Sequence, residues 1–301
     1  MHAASIACLL LALAGCAHRP GASDLGCAPR TLPTVRLTRL HEVVIHRNLD
    51  LVKSTNRGRL GALRTLFESF GCAGPNLVEE PTSLFRQPNL SCTLPGELAD
   101  RVVVGARFDK ASEGADQDDN WSAASLLPAL HLSLSYHRRR HSFEFVAFSS
   151  GERGPVGSTS FVNSLDAERV RRIKAMVNID GLGTGPLRAE VSHSDPELVC
   201  DFWATSELLG LPLRSTLAAA GPHGDSEPFR RAGIPVIDLT SRTRRDAAPD
   251  RTRRDPDDAV DEQAHHDNYR LIAAYLAMLD ERLGAGRGDA VDPSAPPGSA
   301  R

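Results

Sequence analysis

Acidic residues stand at the ends of several apolar stretches of this sequence. The positions in question are Asp109, Asp119, Glu152, Asp180 and Asp225. A single acid at such a position most often caps a helix or lies in a solvated loop. Several acids in one crevice repel one another and need a cation, either a metal ion or an Arg side chain. Oxygen ligands of this kind, joined by a histidine, form a set that zinc binds.

Alternating strands and helices would position these acids. The β-rich runs RVVVGARFD, SFEFVAFS, AMVNIDGLG and IPVIDL alternate with stretches of helical periodicity such as WSAASLLPALHLSLSYH and PELVCDFWATSELLG. This alternation predicts an α/β sheet with helices on both faces, and the near-continuous apolar runs are typical of central strands. Ligands of open α/β sheets bind beyond the carboxyl ends of the strands, which is where the acids stand.

The composition is that of a globular protein, with 301 residues, 41% hydrophobic, 24% charged and a net charge of −3. It excludes a disordered chain, a coiled coil and a disulfide-stapled miniprotein. Because the balance is slightly acidic, we expect no nucleic-acid partner. We predict a Gly/Pro/Ala-rich tether over residues 16–34, one domain over 35–284 and a disordered tail over 285–301.

The first residues have the pattern of an export signal. Residues 6–14, IACLLLALA, form an apolar run well short of the ~20 residues that span a bilayer. The run ends in Leu-Ala-Gly-Cys16, which resembles the bacterial lipobox. We therefore expect a signal peptide over residues 1–15 and lipidation of Cys16, which would anchor the protein to a membrane of the bacterial cell envelope, on its periplasmic or cell-surface side. The alternative is an ordinary signal peptide with an incidental Cys.

Four cysteines follow the leader: Cys27, Cys72, Cys92 and Cys200. Their spacings do not form a CxxC pattern typical of zinc sites, and an exported protein can form disulfides. We predict a bridge between Cys72 and Cys92, which flank two early strands. The pairing of Cys27 and Cys200 stays open.

Seven stretches of the sequence, in order over residues 40–282, resemble the co-catalytic zinc aminopeptidases and their relatives, the glutaminyl cyclases. The stretches are NLSCTLPG, VVVGARFD, GADQDDNWSA, FEFVAFSSGERGPVGS, MVNIDGLG, GDSEPFRRAGIP and HHDN. The resemblance implies a three-layer α/β/α sandwich around a mixed, mostly parallel sheet, the zinc exopeptidase fold. Members of this family remove N-terminal residues from peptides or cyclise N-terminal Gln.

Three acidic positions of the family's two-metal site are kept when the resemblance is carried over residue by residue. Asp119 takes the place of the bridging ligand, Glu152 that of a second-metal ligand and Asp180 that of a first-metal ligand. The general-base position falls on Gly151, which cannot take a proton. Glu152 could act as the base only if it left the metal.

The last histidine ligand of the family falls on Gln263 in this sequence. His265 or His266 could substitute for it if the loop is shifted. The second site would then have Asp119, Glu152 and one imidazole, which is the single-zinc ligand set of the cyclases. We expect one zinc ion at most. The alternative is that no metal binds and that Arg side chains and backbone donors satisfy the acids.

Arg107 stands at the position of the family's first-metal histidine. Its guanidinium always carries charge, so it would repel a cation there and could pair with Asp180 or Asp119 instead. Together with Asp225 and His223 of the GPHGDSEPF stretch, Arg107 is expected to line the substrate cleft.

The remaining polar and aromatic residues have ordinary structural interpretations. We expect His131, His137 and His141 on the surface, because they lie on or after a predicted helix. Ser158 is a small residue at a helix start rather than a nucleophile, since no His–Asp pair has fitting context. Trp121 is expected to pack in the core.

Three functions follow from the resemblance and from its departures. The first is a membrane-anchored metallopeptidase-like protein that hydrolyses peptide or protein N-termini as aminopeptidases do, with a reduced site. The second is an inactive pseudopeptidase that binds peptide or another envelope protein. The third is a transferase like the glutaminyl cyclases, which the absent base also disfavours.

Overall fold

A mixed sheet forms the centre of the molecule. The computed structural model describes residues 25–82, 87–110, 119–149, 154–211, 213–216, 224–241 and 260–285. Within these ranges eight strands form one sheet in the order β1-β2-β4-β3-β5-β8-β6-β7. The strands are β1 (Leu77–Glu80), β2 (Asn89–Leu94), β3 (Arg101–Arg107), β4 (Ser142–Phe148), β5 (Ile173–Asp180), β6 (Leu187–Glu190), β7 (Leu213–Thr216) and β8 (Val236–Thr240).

The four central strands are parallel. β3 pairs with β4 and β5, and β5 pairs with β8, all in the parallel sense. The pairs β1–β2, β2–β4 and β6–β8 are antiparallel, whereas β6–β7 is parallel. These four central strands are the predicted β-rich runs. β6 and β7 are missing from the prediction because four residues are too few to show a pattern.

Helices cover both faces of the sheet, as predicted. They are α1 (Glu42–Leu49), α2 (Asn56–Ser69), α3 (Asp119–Ala124), α4 (Leu126–Ser135), α5 (Val156–Asn163), α6 (Ala167–Arg172), α7 (Pro196–Leu209), α8 (Glu227–Arg231) and α9 (Glu262–Ala285). The larger core includes side chains of α1–α4, α7 and α9, and the smaller core includes side chains of α5 and α8. Val102 and Val104 of β3 face the larger core and Val103 the smaller one, which explains the continuous apolar run. The architecture is the predicted three-layer α/β/α sandwich.

Two histidines that we expected on the surface are buried. His131 is 4% exposed and its ring lies 6.4 Å from Phe67 and 5.9 Å from Phe145, because α4 is apolar on nearly all sides. Burial lowers the pKa of His131 to about 4, and the charge of Arg139 acts in the same direction. His141 is 2% exposed and its Nδ1 lies 2.9 Å from a carboxylate of α9. The prediction of a surface position was therefore wrong for both residues.

Trp121 is fully buried, as predicted. Its indole N–H donates to the carbonyl oxygens of Asn48 and Leu49 at 3.2 and 2.9 Å. Those carbonyls belong to the end of α1, so the indole ties α3 to α1 and satisfies its own buried donor.

The predicted Cys72–Cys92 disulfide is present and joins the end of α2 to β2. Cys27 and Cys200, whose pairing the sequence left open, form a second bridge. Arg30 is held near this second bridge by ion pairs of 2.7 and 2.9 Å with carboxylates of α7. The second half of the segment predicted as a tether is therefore bonded to the domain.

Among the described residues, no helix combines the length and the apolarity that crossing a membrane requires. The predicted signal peptide, Cys16 and residues 286–301 of the predicted tail lie outside the described residues.

Candidate functional site

Arg107 forms an ion pair at the carboxyl end of β3. Its Nε donates to Oδ2 of Asp225 at 3.4 Å. The Asp225 side chain is 3% exposed and that of Arg107 is 20% exposed. The hydroxyl of Ser158 donates to the other oxygen of Asp225 at 2.8 Å. A buried carboxylate is therefore paired with one cation and one neutral donor.

This ion pair differs in part from the expectation. We expected Arg107 to pair with Asp180 or Asp119, and the structure shows an ion pair with Asp225, while the Asp119 side chain lies outside the described residues. The loop before α8 places Asp225 over the sheet face to which Arg107 belongs. The structure does bring together Arg107 and Asp225, two of the three predicted cleft residues, and Ser158 has the structural role expected of it.

Three strands contribute polar residues to this face of the sheet. Gly105, two residues before Arg107, lies opposite Asn178, which lies opposite Asp238 on the next strand. Directly opposed residues of parallel strands point to the same face, and so do residues two apart on one strand. Arg107, Asn178, Asp180 and Asp238 therefore belong to the face that α5 and α8 cover.

Asp238 is a member of this polar group that the sequence did not single out. Its carboxylate accepts from the Ser226 hydroxyl and from the Asn178 amide, each at 2.7 Å. Burial raises the pKa of Asp238 to about 6, and the charges of Glu190 and Asp180 act in the same direction. The sequence does contain a signal for this group, because Asn178 and Asp238 are polar residues inside otherwise apolar central strands.

Asp238 also positions the cleft acid. Its partner Ser226 directly follows Asp225 in the loop before α8. A Cβ added to Gly224, the residue before Asp225, would lie 3.4 Å from the Asn178 amide nitrogen. The loop thus lies close against the sheet, and this contact fixes the carboxylate that holds Arg107.

His265 and His266, the two candidate imidazole ligands, differ in environment. His265 is fully buried in α9, and its Nε2 lies 2.8 Å from the Ser122 carbonyl. Because a carbonyl only accepts, Nε2 carries the proton and Nδ1 keeps its lone pair. That buried Nδ1 has no hydrogen-bond partner within the part of the chain that is described. Burial lowers the pKa of His265 to about 4, so the ring is neutral at pH 7.

His266 is half-buried and stacks on Tyr269 with ring centroids 5.9 Å apart. Its Nε2 lies 3.4 Å from the Leu40 carbonyl. Gln263, at the family's ligand position, is exposed on the first turn of α9. Of the two candidates, His265 is the one whose unpartnered ring nitrogen is buried.

Ser122 connects α3, α9 and the loop after β5. Its hydroxyl accepts from the backbone N–H of Leu182 at 2.9 Å, two residues after Asp180, and its carbonyl binds His265. The start of α3 at Asp119, the end of β5 and the first turns of α9 are thereby linked. The Asp119 side chain and residues Gly151, Glu152 and His223 lie outside what the structure describes, so their predicted roles stay predictions.

The sequence profile of peptidase family M28 matches residues 89–276, which are more than half of the chain. The chain belongs to peptidase family M28. The matched range contains β2 to β8, the ion pair of Arg107 with Asp225, and both histidine candidates in α9. The predicted family is confirmed, whereas the departures from the family pattern at Arg107 and Gly151 stay predictions.

Two curated relatives are similar in sequence to part of this M28 chain. Leupeptin-inactivating enzyme 1 of Streptomyces exfoliatus is 31% identical over 178 residues, which are 58% of this chain and 37% of the relative. The probable lipoprotein aminopeptidase LpqL of Mycobacterium tuberculosis is 32% identical over 123 residues, which are 39% of this chain and 24% of the relative. The chain therefore spans less than half the length of either relative.

Solved structures share the fold. The Legionella pneumophila LapA aminopeptidase superposes with a TM-score of 0.67 at 17% identity, over 83% of this chain and 78% of LapA. An Acidobacteriales bacterium glutaminyl cyclase has a TM-score of 0.66 at 15% identity, over 85% of this chain and all of the cyclase. A zinc aminopeptidase from Bacillus subtilis has a TM-score of 0.54 at 19% identity, over 63% of this chain and 49% of that enzyme. At these identities the likeness concerns the fold.

Proposed function

We propose that this M28 chain is a membrane-anchored metallopeptidase-like protein that hydrolyses peptide N-termini in the manner of an aminopeptidase, at a site with one zinc ion at most. Membership of the family supports the reaction class. The names of the relatives, an aminopeptidase and a leupeptin-inactivating enzyme, support peptide substrates.

The family match carries the reaction class, and the ion pair between Arg107 and Asp225 carries the limit of one zinc ion. Arg107 stands where the family's first-metal ligand is expected, and a guanidinium is a cation at every accessible pH. It repels a divalent ion at that position and already neutralises the neighbouring acid. The first metal position therefore does not fit zinc, and only the second one is left.

The chemistry of the remaining donor set suits one zinc ion, with two carboxylates and one imidazole. Asp119 and Glu152 would supply oxygen ligands, and His265 would supply the imidazole, with His266 as the alternative. The unpartnered Nδ1 of His265 is the lone pair that such a ligand needs, and its Nε2 proton on the Ser122 carbonyl is the usual way in which a ligand imidazole is oriented. Asp180, the last residue of β5, would bind the single ion directly or support its ligands from outside.

Bound zinc would polarise the scissile carbonyl and lower the pKa of a water molecule. The chain's own residues give less help than in a complete site. Gly151 stands at the general-base position, and positioned bases contribute about 10²–10⁴-fold to rate. Glu152 would have to leave the metal to serve as the base. We therefore expect slow turnover.

The anchor is proposed from the leader sequence. Lipidation of Cys16 would hold the domain at a membrane of the bacterial cell envelope, and LpqL, whose name includes the word lipoprotein, is consistent with this arrangement. Mass spectrometry of the mature N-terminus tests it: a diacylglyceryl-modified Cys16 is expected, and an unmodified residue at any other position would refute it.

The alternative is a pseudopeptidase that binds peptide or an envelope partner without cleaving it. The same ion pair favours this function, because Arg107 replaces a metal charge without providing Lewis-acid chemistry. The two functions predict different metal contents.

The deciding experiment measures zinc content and cleavage of an aminoacyl-anilide panel on the purified, disulfide-bonded protein. About one equivalent of zinc and slow cleavage are expected, and Glu152→Ala should lose both while its circular dichroism stays unchanged. Glu168→Ala, an exposed acid of α6, is the matched control. If the wild-type protein takes up no added zinc and cleaves no substrate of the panel, the metallopeptidase proposal is refuted and the pseudopeptidase function is the one that remains.

A further inference from the structure

A second cluster of metal-ligating side chains lies in the larger core. Cys72, Cys92 and His131 place one ligand atom each within 4.8 Å of one another, and all three residues are buried. In the structure the two sulfur atoms are joined as a disulfide. We propose that reduction of this disulfide creates a zinc site made of Cys72, Cys92 and His131.

The surroundings of the His131 imidazole suit metal binding. His131 is buried between the rings of Phe67 and Phe145, and a neutral imidazole keeps a lone pair on one ring nitrogen. Its buried Nδ1 finds no hydrogen-bond partner in the described ranges. A buried polar atom without a partner is costly, and coordination of a metal ion would satisfy it.

The distances and the charge suit zinc. Zinc binds thiolate sulfur at about 2.3 Å and imidazole nitrogen at about 2.0–2.1 Å, so ligands of one tetrahedral ion lie roughly 3.5–3.8 Å apart. Once the S–S bond is broken, the two sulfur atoms would separate to about 3.8 Å, and the imidazole nitrogen, within 4.8 Å of both, would approach by the order of 1 Å. Two thiolates cancel the charge of Zn²⁺, so the ion could lie in an apolar core without net charge. Three protein ligands leave the fourth position open.

Reduction of the Cys72–Cys92 disulfide requires a reductant, and a phosphine supplies the two electrons. The phosphine and one water break the S–S bond, giving two thiols and a phosphine oxide. Zinc binding then breaks both S–H bonds, forms two Zn–S bonds and one Zn–N bond, and releases two protons. The disulfide and the zinc site use the same sulfur atoms, so each form excludes the other and zinc should slow reoxidation.

The test counts zinc on the full chain before and after phosphine treatment, so the proposed catalytic zinc cancels in the difference. One additional equivalent is expected after reduction. The paired substitution Cys72→Ser with Cys92→Ser should lose it, and Cys27→Ser with Cys200→Ser, the matched control, should keep it. His131→Gln should weaken the additional zinc at least tenfold in competition with a chelator.

Alkylation mapped by mass spectrometry gives a second readout. Zinc should protect Cys72 and Cys92 of the reduced protein and leave Cys27 and Cys200 reactive. The proposal is overturned if reduction adds no zinc, if His131→Gln binds as tightly as wild type, or if zinc changes the alkylation of all four thiols equally. That last result is also what a chain unfolded by reduction would give.

Discussion

Arg107 and Asp225, 118 residues apart in the chain, join a partly exposed guanidinium to an almost fully buried carboxylate across 3.4 Å. The contact links the end of β3 to the loop before α8. Ser158 of α5 completes the donors around the acid. The ion pair thereby ties three elements of the fold together around one buried acid.

Loss of this guanidinium should destabilise the fold. Arg107→Ala leaves Asp225 with the Ser158 hydroxyl alone, and removing one partner of a buried ion pair typically costs about 1–3 kcal/mol or more. Chemical denaturation should show a drop in the free energy of unfolding of this size. Arg138→Ala is the control, because Arg138 is 92% exposed in its ion pair with Glu97. Equal stabilities of the two variants would contradict the buried-pair account.

Restoring the two missing family residues should restore activity. We expect Arg107→His combined with Gly151→Glu to raise aminopeptidase kcat by ~10² or more, the lower range of a positioned base. The double variant should also bind a second zinc equivalent. Arg107→His with Gly151→Gln is the control without a base, and it should gain metal but little rate. If the double variant is as slow as wild type, residues other than these two must also limit the activity.

The two candidate imidazoles should behave differently toward zinc. His265→Ala removes the buried lone pair and should weaken zinc binding at least tenfold, whereas His266→Ala should leave it within twofold. Competition with a chromogenic chelator at pH 7 measures both affinities. The opposite order would move the ligand to His266, and two unchanged affinities would remove α9 from the metal site.

Asp238 should make stability fall with rising pH. Its pKa is about 6 in the fold against an ordinary 3.8, so between these values the folded chain holds a proton that the unfolded chain has released. The contribution of Asp238 to the free energy of unfolding therefore decreases from pH 4 to pH 6, whereas the lowered pKa values of His131 and His265 make their contributions increase over the same interval. Asp238→Asn should be more stable than wild type by an amount that grows over this interval and reaches roughly 1–3 kcal/mol at pH 7.

Urea denaturation at several pH values measures that effect. Asp166→Asn is the matched control, because Asn caps the start of α6 as well as Asp does. It should keep the wild-type dependence on pH. A steady rise of wild-type stability over the same interval, with no difference in Asp238→Asn, would show that this acid is ionised without penalty.

The sequence predicted the central strands and the sandwich because long apolar runs and ordered motifs are signals spread over many residues. It was less reliable where one contact decides the outcome. The partner of Arg107 depends on how the loop before α8 lies over the sheet, and no local pattern contains that information. The prediction for His131 was wrong because α4 is apolar on nearly all sides, so a polar residue on it is buried. Asp238 lies inside an apolar strand, and its partners Asn178 and Ser226 come from other elements, which the sequence does not show.

The bridge between Cys27 and Cys200 has a mechanical consequence. With the proposed lipid at Cys16, tension along residues 17–26 would reach the folded protein through this covalent link and act on α7 at Cys200. Residues 28–41 would be shielded from that load, so this segment could not be peeled from the domain while the sulfur atoms remain joined.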